Sequence, residues 1–189
     1  KKMHWYKSLI GKYNSLIKNE GYMPRGIIVR KHEDNNISFA ELSISDIYKL
    51  LQTKNVKDGH IVLHEIPLHY MTIKPRFDIE GVFDFENKEI IHNIIEQFHI
   101  ALKNTIDTDI KYSINSYNSS GFNYQDNKID NNKWKMSIHI VVNGVHHEDY
   151  MQSKIFCEKI INDIHNASSN NYKQYIDTQI YTKNHSLRI

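Results

Sequence analysis

Alternation of polar and apolar residues in two short segments most constrains how this chain can fold. Residues 135–142 read KMSIHIVV and residues 77–80 read FDIE. A β-strand points successive side chains to opposite faces, so residues two positions apart share a face. Asp78 and Glu80 would therefore lie on one face of a strand, while Phe77 and Ile79 point into the core. The pattern predicts a sheet with one apolar and one polar face.

The polar face of the second strand would carry Lys135, Ser137 and His139. Magnesium prefers carboxylate oxygens and completes its shell with water and substrate phosphates. Two-metal phosphoryl transfer needs ions roughly 3.5–4 Å apart, which carboxylates about 6.6–6.8 Å apart along a strand can reach. The hydroxyl and the imidazole could donate hydrogen bonds to phosphate oxygens. The two strands together indicate a site for divalent metal and phosphate.

The end of the chain, residues 177–189, reads DTQIYTKNHSLRI and supplies a further acid and further cations. Two-metal sites usually include a third carboxylate, and Asp177 is the candidate. Lys183 and Arg188, together with Lys135, could neutralise a triphosphate.

These three motifs, taken in order, resemble the archaeo-eukaryotic primase superfamily. The order is Asp-x-Glu, then Lys-x-Ser-x-His, then Asp followed by Tyr-Thr-Lys-Asn and a late arginine. The resemblance covers roughly residues 74–189 and is to primase-polymerases and the primase part of large DNA virus primase-helicases. A lone Asp-x-Glu carries almost no information, whereas three motifs in this order are specific.

The resemblance implies roles for nine residues. The metal-binding acids of the family match Asp78, Glu80 and Asp177. Its nucleotide-binding positions match Lys135, Ser137, His139, Lys183, His185 and Arg188. Some relatives have arginine where this chain has His185. We rank His185 and Lys183 below the other nucleotide-binding candidates.

The activity implied is DNA-dependent primer synthesis from nucleoside triphosphates on a single-stranded DNA template, with Mg²⁺ or Mn²⁺ as cofactor. Relatives often carry a helicase or a zinc-binding region downstream. The chain starts on lysine and stops on Arg188-Ile189, in what reads as a strand. We therefore expect a primase domain from a longer protein, and its Asn-, Ile-, Lys- and Tyr-rich composition suits an AT-rich genome such as that of many large DNA viruses.

The coarse pattern of elements predicts an α+β fold. From the first motif onward the order is strand, helix, strand, strand, helix, strand, as in the split β-α-β arrangement of ferredoxin-like and RNA-recognition-motif folds. We predict this palm sheet, with helices on one side, over residues 73–189 and an N-terminal α/β unit over residues 1–72. Helices are predicted over 5–18, 45–54, 87–104 and 149–165. Strands are predicted over 26–30, 60–66, 73–80, 109–116, 136–143, 176–181 and 187–189, with a polar loop over 117–133.

Composition narrows the function classes. A net charge of +2 does not by itself indicate nucleic-acid binding, so any basic groove would be local. The single cysteine, Cys157, excludes an internal disulfide framework and a cysteine-rich zinc site, and its apolar neighbours predict a buried, inert thiol. Since neither a signal peptide nor a run of about 20 apolar residues is present, we expect no membrane association and an intracellular protein, with a viral replication site in the host cytoplasm or nucleus as one setting.

A second copy of the acidic motif competes for the metal role. Residues 83–86 read FDFE, so Asp84 and Glu86 have the same spacing as Asp78 and Glu80. The later copy directly precedes the helix predicted from residue 87, where acids stabilise the helix dipole. Spacing alone does not decide which of the two pairs binds metal, and the family resemblance favours Asp78 and Glu80.

Two other functions remain open alongside the primase interpretation. One is a non-catalytic module that binds single-stranded nucleic acid, and the other is a metal-dependent nuclease or nickase. Nickases need a His-hydrophobic-His motif and a tyrosine nucleophile, and His139-Ile140-Val141 lacks the second histidine. Without the family resemblance, the acids read as a solvated edge strand and the lysines and arginine as ordinary surface charges.

Overall fold

The computed structural model describes residues 3–7, 25–33, 36–68, 71–122, 133–167, 170–182 and 187–188. Within these ranges the protein has the predicted α+β class, with two antiparallel sheets. The chain divides into two compact units, Lys1–Met71 with Thr182–Ile189, and Thr72–Tyr181.

The first unit contains a sheet with the strand order β2-β1-β3-β8. Its strands are β1 (Ile27–Glu33), β2 (Asn36–Leu42), β3 (Ile61–Glu65) and β8 (Leu187–Arg188), and all neighbours pair antiparallel. Two helices connect β2 to β3, namely α1 (Ile44–Leu51) and α2 (Lys54–Lys57). The sequence analysis did not predict β2, whose residues do not alternate strictly between buried and exposed.

Helix α1 begins at Ile44, one residue before the predicted range of 45–54. Ser43 is the N-cap, and its side chain accepts a hydrogen bond from the Asp46 backbone N–H. Such a cap satisfies one of the amide groups that the first turn leaves unpaired. The helix predicted over 45–54 is interrupted, since α1 ends at Leu51 and α2 begins at Lys54.

The second unit contains a sheet with the strand order β4-β7-β5, and β6 also pairs with β7. Its strands are β4 (Arg76–Phe83), β5 (Ser113–Asn118), β6 (Gly121–Phe122) and β7 (Trp134–Asn143). An isolated antiparallel bridge between Ile79 and Ile176 adds a fifth segment, beside β4. The helices α3 (Lys88–Thr105) and α4 (Tyr150–Ala167) match the two long helices predicted from the sequence.

The core of the second unit lies between one face of this sheet and its two long helices. Phe77 and Ile79 on β4 and Ile138 on β7 are fully buried, as is Phe98 on α3. The Phe77 and Phe98 rings lie 4.6 Å apart between centroids. The apolar half of each alternating segment therefore anchors the sheet and leaves the polar half on the opposite face.

The strand predicted over residues 176–181 is wrong beyond its first residues. Thr178–Tyr181 forms a 3-10 helix, and a second one covers Tyr172–Tyr175. Asp177 starts the turn, because its Oδ1 accepts a hydrogen bond from the Gln179 backbone N–H at 2.8 Å. The chain thereby buries both Ile180 and Tyr181, which strand alternation would have placed on opposite faces.

Two further predictions need correction. Tyr6, predicted to be helical, forms an isolated β-bridge with Phe39, and the rest of the predicted N-terminal helix from residue 8 onward lies outside the described residues. The predicted loop over 117–133 begins later, since β5 runs to Asn118 and β6 pairs with β7; residues 123–132 lie outside the described part of the chain.

The last strand pairs differently from the palm arrangement predicted for residues 73–189. Leu187 and Arg188 pair with Glu65 and His64 on β3, so the structure groups the end of the chain with the first unit. The predicted domain boundary near residue 72 stays a prediction. In the described ranges, none of the helices has the length and apolar character needed to span a membrane.

Candidate functional site

The polar face of the second sheet brings together residues from three adjacent chain segments. Burial alternates along all ten residues of β7, with the side chains of Lys135, Ser137 and His139 facing away from the core. The antiparallel register places Asp78 opposite His139 and Glu80 opposite Ser137. Residues directly opposite each other share a face, so the first two sequence motifs meet on one surface.

Asp78 has the least satisfied side chain of this face. Its carboxylate and the His139 imidazole are each 15% exposed, and Oδ1 lies 3.3 Å from His139 Nε2. This Oδ1 is buried and takes part in no hydrogen bond among the described residues. The distance between Asp78 Oδ1 and His139 Nε2 is short enough for an ion pair, but the orientation of the two groups does not suit a hydrogen bond. An unsatisfied buried carboxylate oxygen is costly, and a cation would satisfy it.

Glu80 is more exposed and already paired. Its carboxylate is 45% exposed and lies 3.0 Å from Lys135 Nζ. Partly exposed ion pairs contribute at most about 1 kcal/mol. Both groups can therefore exchange this partner for a stronger one, such as a metal ion for Glu80 and a phosphate for Lys135, at little cost.

Asp177 is positioned by the backbone of β4. Its N–H donates to the Asp78 carbonyl oxygen at 2.8 Å, next to the bridge between the buried Ile79 and Ile176. Ile176 has extended backbone angles, so the following side chain points away from the core. Asp177, Asp78 and His139 consequently lie in a row across three neighbouring segments.

Ser137 is held by two serines that the sequence analysis missed. The Ser119 Oγ donates to the Ser137 Oγ at 3.1 Å, and the Ser137 backbone N–H donates to the Ser120 Oγ at 2.9 Å. The Ser119 N–H also donates to the Ser137 carbonyl oxygen at 2.9 Å. These contacts fix the hydroxyl of Ser137. The only sequence signal was a pair of serines inside a segment interpreted as loop.

Tyr117 is a second residue that sequence reasoning did not single out. It lies directly opposite His139 on β5, on the side away from Asp78, and is 57% exposed. An exposed aromatic ring beside a polar sheet face is a surface on which a base can stack. The sequence signal that could have found it was alternation along β5, where Ile114 packs against the core and Tyr117, three positions later, falls on the opposite face.

The remaining predicted site residues are not part of this cluster as described. Arg188 is in β8, where its backbone pairs with His64 in the first unit. Lys183 and His185 lie outside the described residues. The competing pair Asp84 and Glu86 follows the end of β4 on an exposed bend, where Glu86 lies 3.5 Å from Lys88.

The carboxylates alone do not form a complete metal-binding group. Among the described residues, no three His, Cys, Asp or Glu side chains lie close enough together to hold an ion. The unsatisfied Oδ1 of Asp78 and the adjacent acids nevertheless suit a hard cation that takes its other ligands from water and substrate phosphates. These oxygen donors are of the type that magnesium and manganese prefer.

Beneath β4, two groups anchor the strand from the core side. The Tyr181 hydroxyl donates to the Arg76 carbonyl oxygen at 2.9 Å, and the Cys157 thiol lies 3.8 Å from the same oxygen. Burial raises the pKa of Cys157 to about 12 and that of Tyr181 well above its usual value. Both groups stay neutral, and Cys157 is buried as predicted.

Comparison with protein-family models finds no match to this chain, and comparison with curated proteins finds none either. The functional argument therefore depends on the geometry of the polar face.

Proposed function

We propose that this chain is the catalytic domain of a DNA-dependent primase-polymerase, which synthesises primers from nucleoside triphosphates on single-stranded DNA. The observation that carries the proposal is the row of Asp177, Asp78 and His139 across adjacent segments, with an unsatisfied carboxylate oxygen at its centre. We also propose that the second unit is an RNA-recognition-motif-like palm. Its segment order, with Ile176 beside β4 and then β7 and β5, supports that assignment.

In the proposed reaction a 3′-hydroxyl oxygen attacks the α-phosphorus of a nucleoside triphosphate. A new P–O bond forms, the bond to the bridging oxygen breaks and pyrophosphate leaves. Asp78, Glu80 and Asp177 would hold two Mg²⁺ or Mn²⁺ ions. When bound, such ions help to deprotonate the attacking hydroxyl and stabilise the leaving group.

The residues of β7 would bind and orient the triphosphate. Lys135 would exchange its ion pair with Glu80 for a phosphate oxygen, because a partly exposed pair is weak. Ser137, whose hydroxyl is held by Ser119, and His139 would donate hydrogen bonds to the same group. These contacts would align the α-phosphorus for in-line attack.

The family resemblance extends the proposal to residues outside the described cluster. Arg188 would contact the triphosphate, with Lys183 and His185 as weaker candidates. A helicase or zinc-binding region downstream in the full-length protein, and an intracellular setting such as a viral replication site, belong to the same proposal.

Primer synthesis on single-stranded DNA with nucleoside triphosphates and Mg²⁺ or Mn²⁺ tests this function. The variant Asp78→Asn/Glu80→Gln removes two carboxylate charges and should lower the rate by at least about 10²–10³-fold. The matched control Asp84→Asn/Glu86→Gln removes the same charges from the second copy of the motif and should keep the wild-type rate. Equal activity of the two double variants, or an inactive wild-type chain, would contradict the proposal.

A non-catalytic single-stranded nucleic-acid-binding module is the second candidate. The exposure of Tyr117 next to the polar sheet face favours it, because stacking on aromatic rings binds bases without any chemistry. Oligonucleotide binding that Tyr117→Ala weakens, together with no primer synthesis under any metal condition, would favour this candidate over the enzyme.

A further inference from the structure

The polar face of the second sheet continues beyond the residues proposed to bind phosphate. On β7 those residues end at His139, and the next side chain on the same face is that of Val141, which is partly buried. On the neighbouring strand β5, Tyr117 lies opposite His139 and Asn115 lies opposite Val141. Both of these β5 side chains are exposed. We refer to Tyr117, Asn115 and Val141 as the aromatic patch.

Backbone pairing fixes the position of Tyr117 relative to His139. Strand β5 pairs with β7 in an unbroken antiparallel register along its six residues. Side chains directly opposite each other in such a pair have Cβ atoms about 4.5–5.5 Å apart. Asp78 lies opposite His139 on the other side, so His139 stands between Asp78 and Tyr117 in the sheet. Just beyond β5, the Ser119 Oγ donates to the Ser137 Oγ at 3.1 Å and ties the end of β5 to the proposed phosphate-binding strand.

The exposure of Tyr117 leaves its ring available to a ligand. The side chain is 57% exposed. Single exposed aromatic residues are common on protein surfaces and need no special explanation. This one is distinguished by its place directly beside His139. Stacking on an aromatic side chain raises the affinity for a nucleic-acid base by about 5–100-fold, and every base offers a π-face for this contact.

The proposed reaction sets the direction in which a nucleotide would lie on this face. The α-phosphorus has to lie at the metal ions, and hence beside Asp78 and His139. The β- and γ-phosphates would then extend along β7 toward Lys135, which is four residues, or about 13 Å, from His139. Because the sugar and base are attached to the α-phosphate, they leave the triphosphate at its His139 end. With the metal ligands on the β4 side, the remaining direction is toward β5 and the aromatic patch.

We propose that Tyr117 stacks on the base of the nucleoside triphosphate bound along β7, and that Val141 and Asn115 complete the base-binding surface. This inference rests on the proposed primase-polymerase function and names the residue that holds the base of its substrate. Val141 would supply apolar contact, and the Asn115 carboxamide can hydrogen-bond the base or the sugar. Because stacking does not depend on base identity, the patch would accept all four nucleotides, as templated synthesis requires.

Calorimetric titration without template separates the base from the phosphates. The ligands are a purine nucleoside triphosphate and inorganic tripolyphosphate, each with Mg²⁺. Tyr117→Ala should weaken nucleoside triphosphate binding by about 5–100-fold and leave tripolyphosphate binding unchanged, since tripolyphosphate has no base. Tyr117→Phe keeps the ring and should bind both ligands as the wild type. Tyr117→Leu keeps an apolar side chain on β5 without the ring, and it should show the same loss should the alanine variant fail to fold.

A matched control removes a tyrosine of similar exposure from the other unit. Tyr48 on α1 is 64% exposed and lies in the first unit. Tyr48→Ala should bind both ligands as the wild type. A loss in Tyr48→Ala equal to that in Tyr117→Ala would overturn the proposal.

The effects on KM and kcat identify a contact to the base. A ring that contacts only the base binds the ground state and the transition state alike. Tyr117→Ala should therefore raise KM for the nucleoside triphosphate in primer synthesis about 5–100-fold and keep kcat near the wild-type value. A lower kcat at unchanged KM would overturn the stacking role.

The remaining outcomes distinguish this inference from the proposed function. Weaker oligonucleotide binding by Tyr117→Ala with unchanged nucleoside triphosphate binding would assign the ring to a polynucleotide strand and overturn the inference, as would an equal loss for tripolyphosphate. Primer synthesis by Tyr117→Ala with a wild-type KM would overturn the inference alone and leave the proposed function standing. Nucleoside triphosphate binding that depends on Tyr117, in a chain that makes no primers, would support the stacking site and contradict primer synthesis.

Discussion

The two sheets of this protein use the same β-strand alternation in different ways. In the second sheet, burial along β7 alternates without exception, so one face of the strand is core and the other is polar except for Val141. The first sheet is apolar on both faces, with separate clusters around Ile28 and around Val29, consecutive residues of β1. Arg30 and His32 share a face of β1 with Ile28 and its apolar cluster.

This difference affects charge as well as packing. On the second sheet each acid of the first motif faces a basic group, since Asp78 lies near His139 and Glu80 near Lys135. On the first sheet Arg30 lies among imidazoles and has no carboxylate partner within the described ranges. Even so, the Oδ1 of Asp78 takes part in no hydrogen bond among the described residues. The comparison teaches that strict alternation collects acidic and basic groups on one face of a sheet, where an individual acid can still be left without a hydrogen bond.

Burial of Cys157 in the core of the second unit should protect its thiol from chemical labelling. A pKa of about 12 instead of 9.0 leaves about a thousandfold less thiolate on Cys157 at pH 8. We expect labelling by a thiol reagent to be slower by at least this factor in the native protein than in urea. Because the chain has one cysteine, the rate reports the second unit alone. Rapid labelling without denaturant would contradict the described core.

The same burial makes the second unit sensitive to alkaline pH. Below pH 9 the thiol is protonated in both the folded and the unfolded chain, so its contribution to stability is constant. Above pH 9 only the unfolded thiol ionises, so the free energy of unfolding should fall, by up to about 4 kcal/mol near pH 12. Urea unfolding at several pH values measures this loss, and Cys157→Ala should lack this part of it. Tyr181, whose pKa is also raised, should add to the loss at higher pH in both proteins.

Opposite faces of β4 should respond differently to the same kind of truncation. Phe77→Ala removes a fully buried ring and should lower the free energy of unfolding by about 3–5 kcal/mol. Val82→Ala, on the polar face of the same strand where the side chain is 56% exposed, should change it by less than about 0.5 kcal/mol. Urea unfolding followed by Trp134 fluorescence, in a Trp5→Phe background because Trp5 lies in the first unit, measures the stability of the second unit. Similar costs for the two variants would refute the strict separation of faces.

Removing the basic partner of Glu80 should affect activity more than stability. Lys135→Gln should lower kcat/KM for the nucleoside triphosphate by roughly 10-fold or more, because a charged contact to phosphate is lost. Its effect on unfolding should stay below about 1 kcal/mol, since the Glu80 pair is partly exposed. Lys133→Gln, two positions earlier, serves as the control and should keep its kcat/KM. A large stability loss without an activity loss would make Lys135 structural.

Sequence reasoning succeeded where periodicity was strict. The long helices α3 and α4 and the strand β7 were predicted to within two residues of their ends, because each buries one regular face. Strand β4 was predicted three residues too early at both ends. Strand β2 was missed, since its pattern mixes the two faces. The segment after Asp177 was predicted as a strand, but the Asp177 side chain caps a turn and a 3-10 helix follows.

The sequence alone determined which residue types could carry chemistry, and which of them share a strand face, because a period of two fixes side-chain direction. It placed Asp78 with Glu80 and Lys135 with Ser137 and His139. Tertiary structure decided which strands are neighbours, because register and strand order depend on packing between segments remote in the chain. Only the fold set Asp177 beside Asp78 and held Ser137 with two serines.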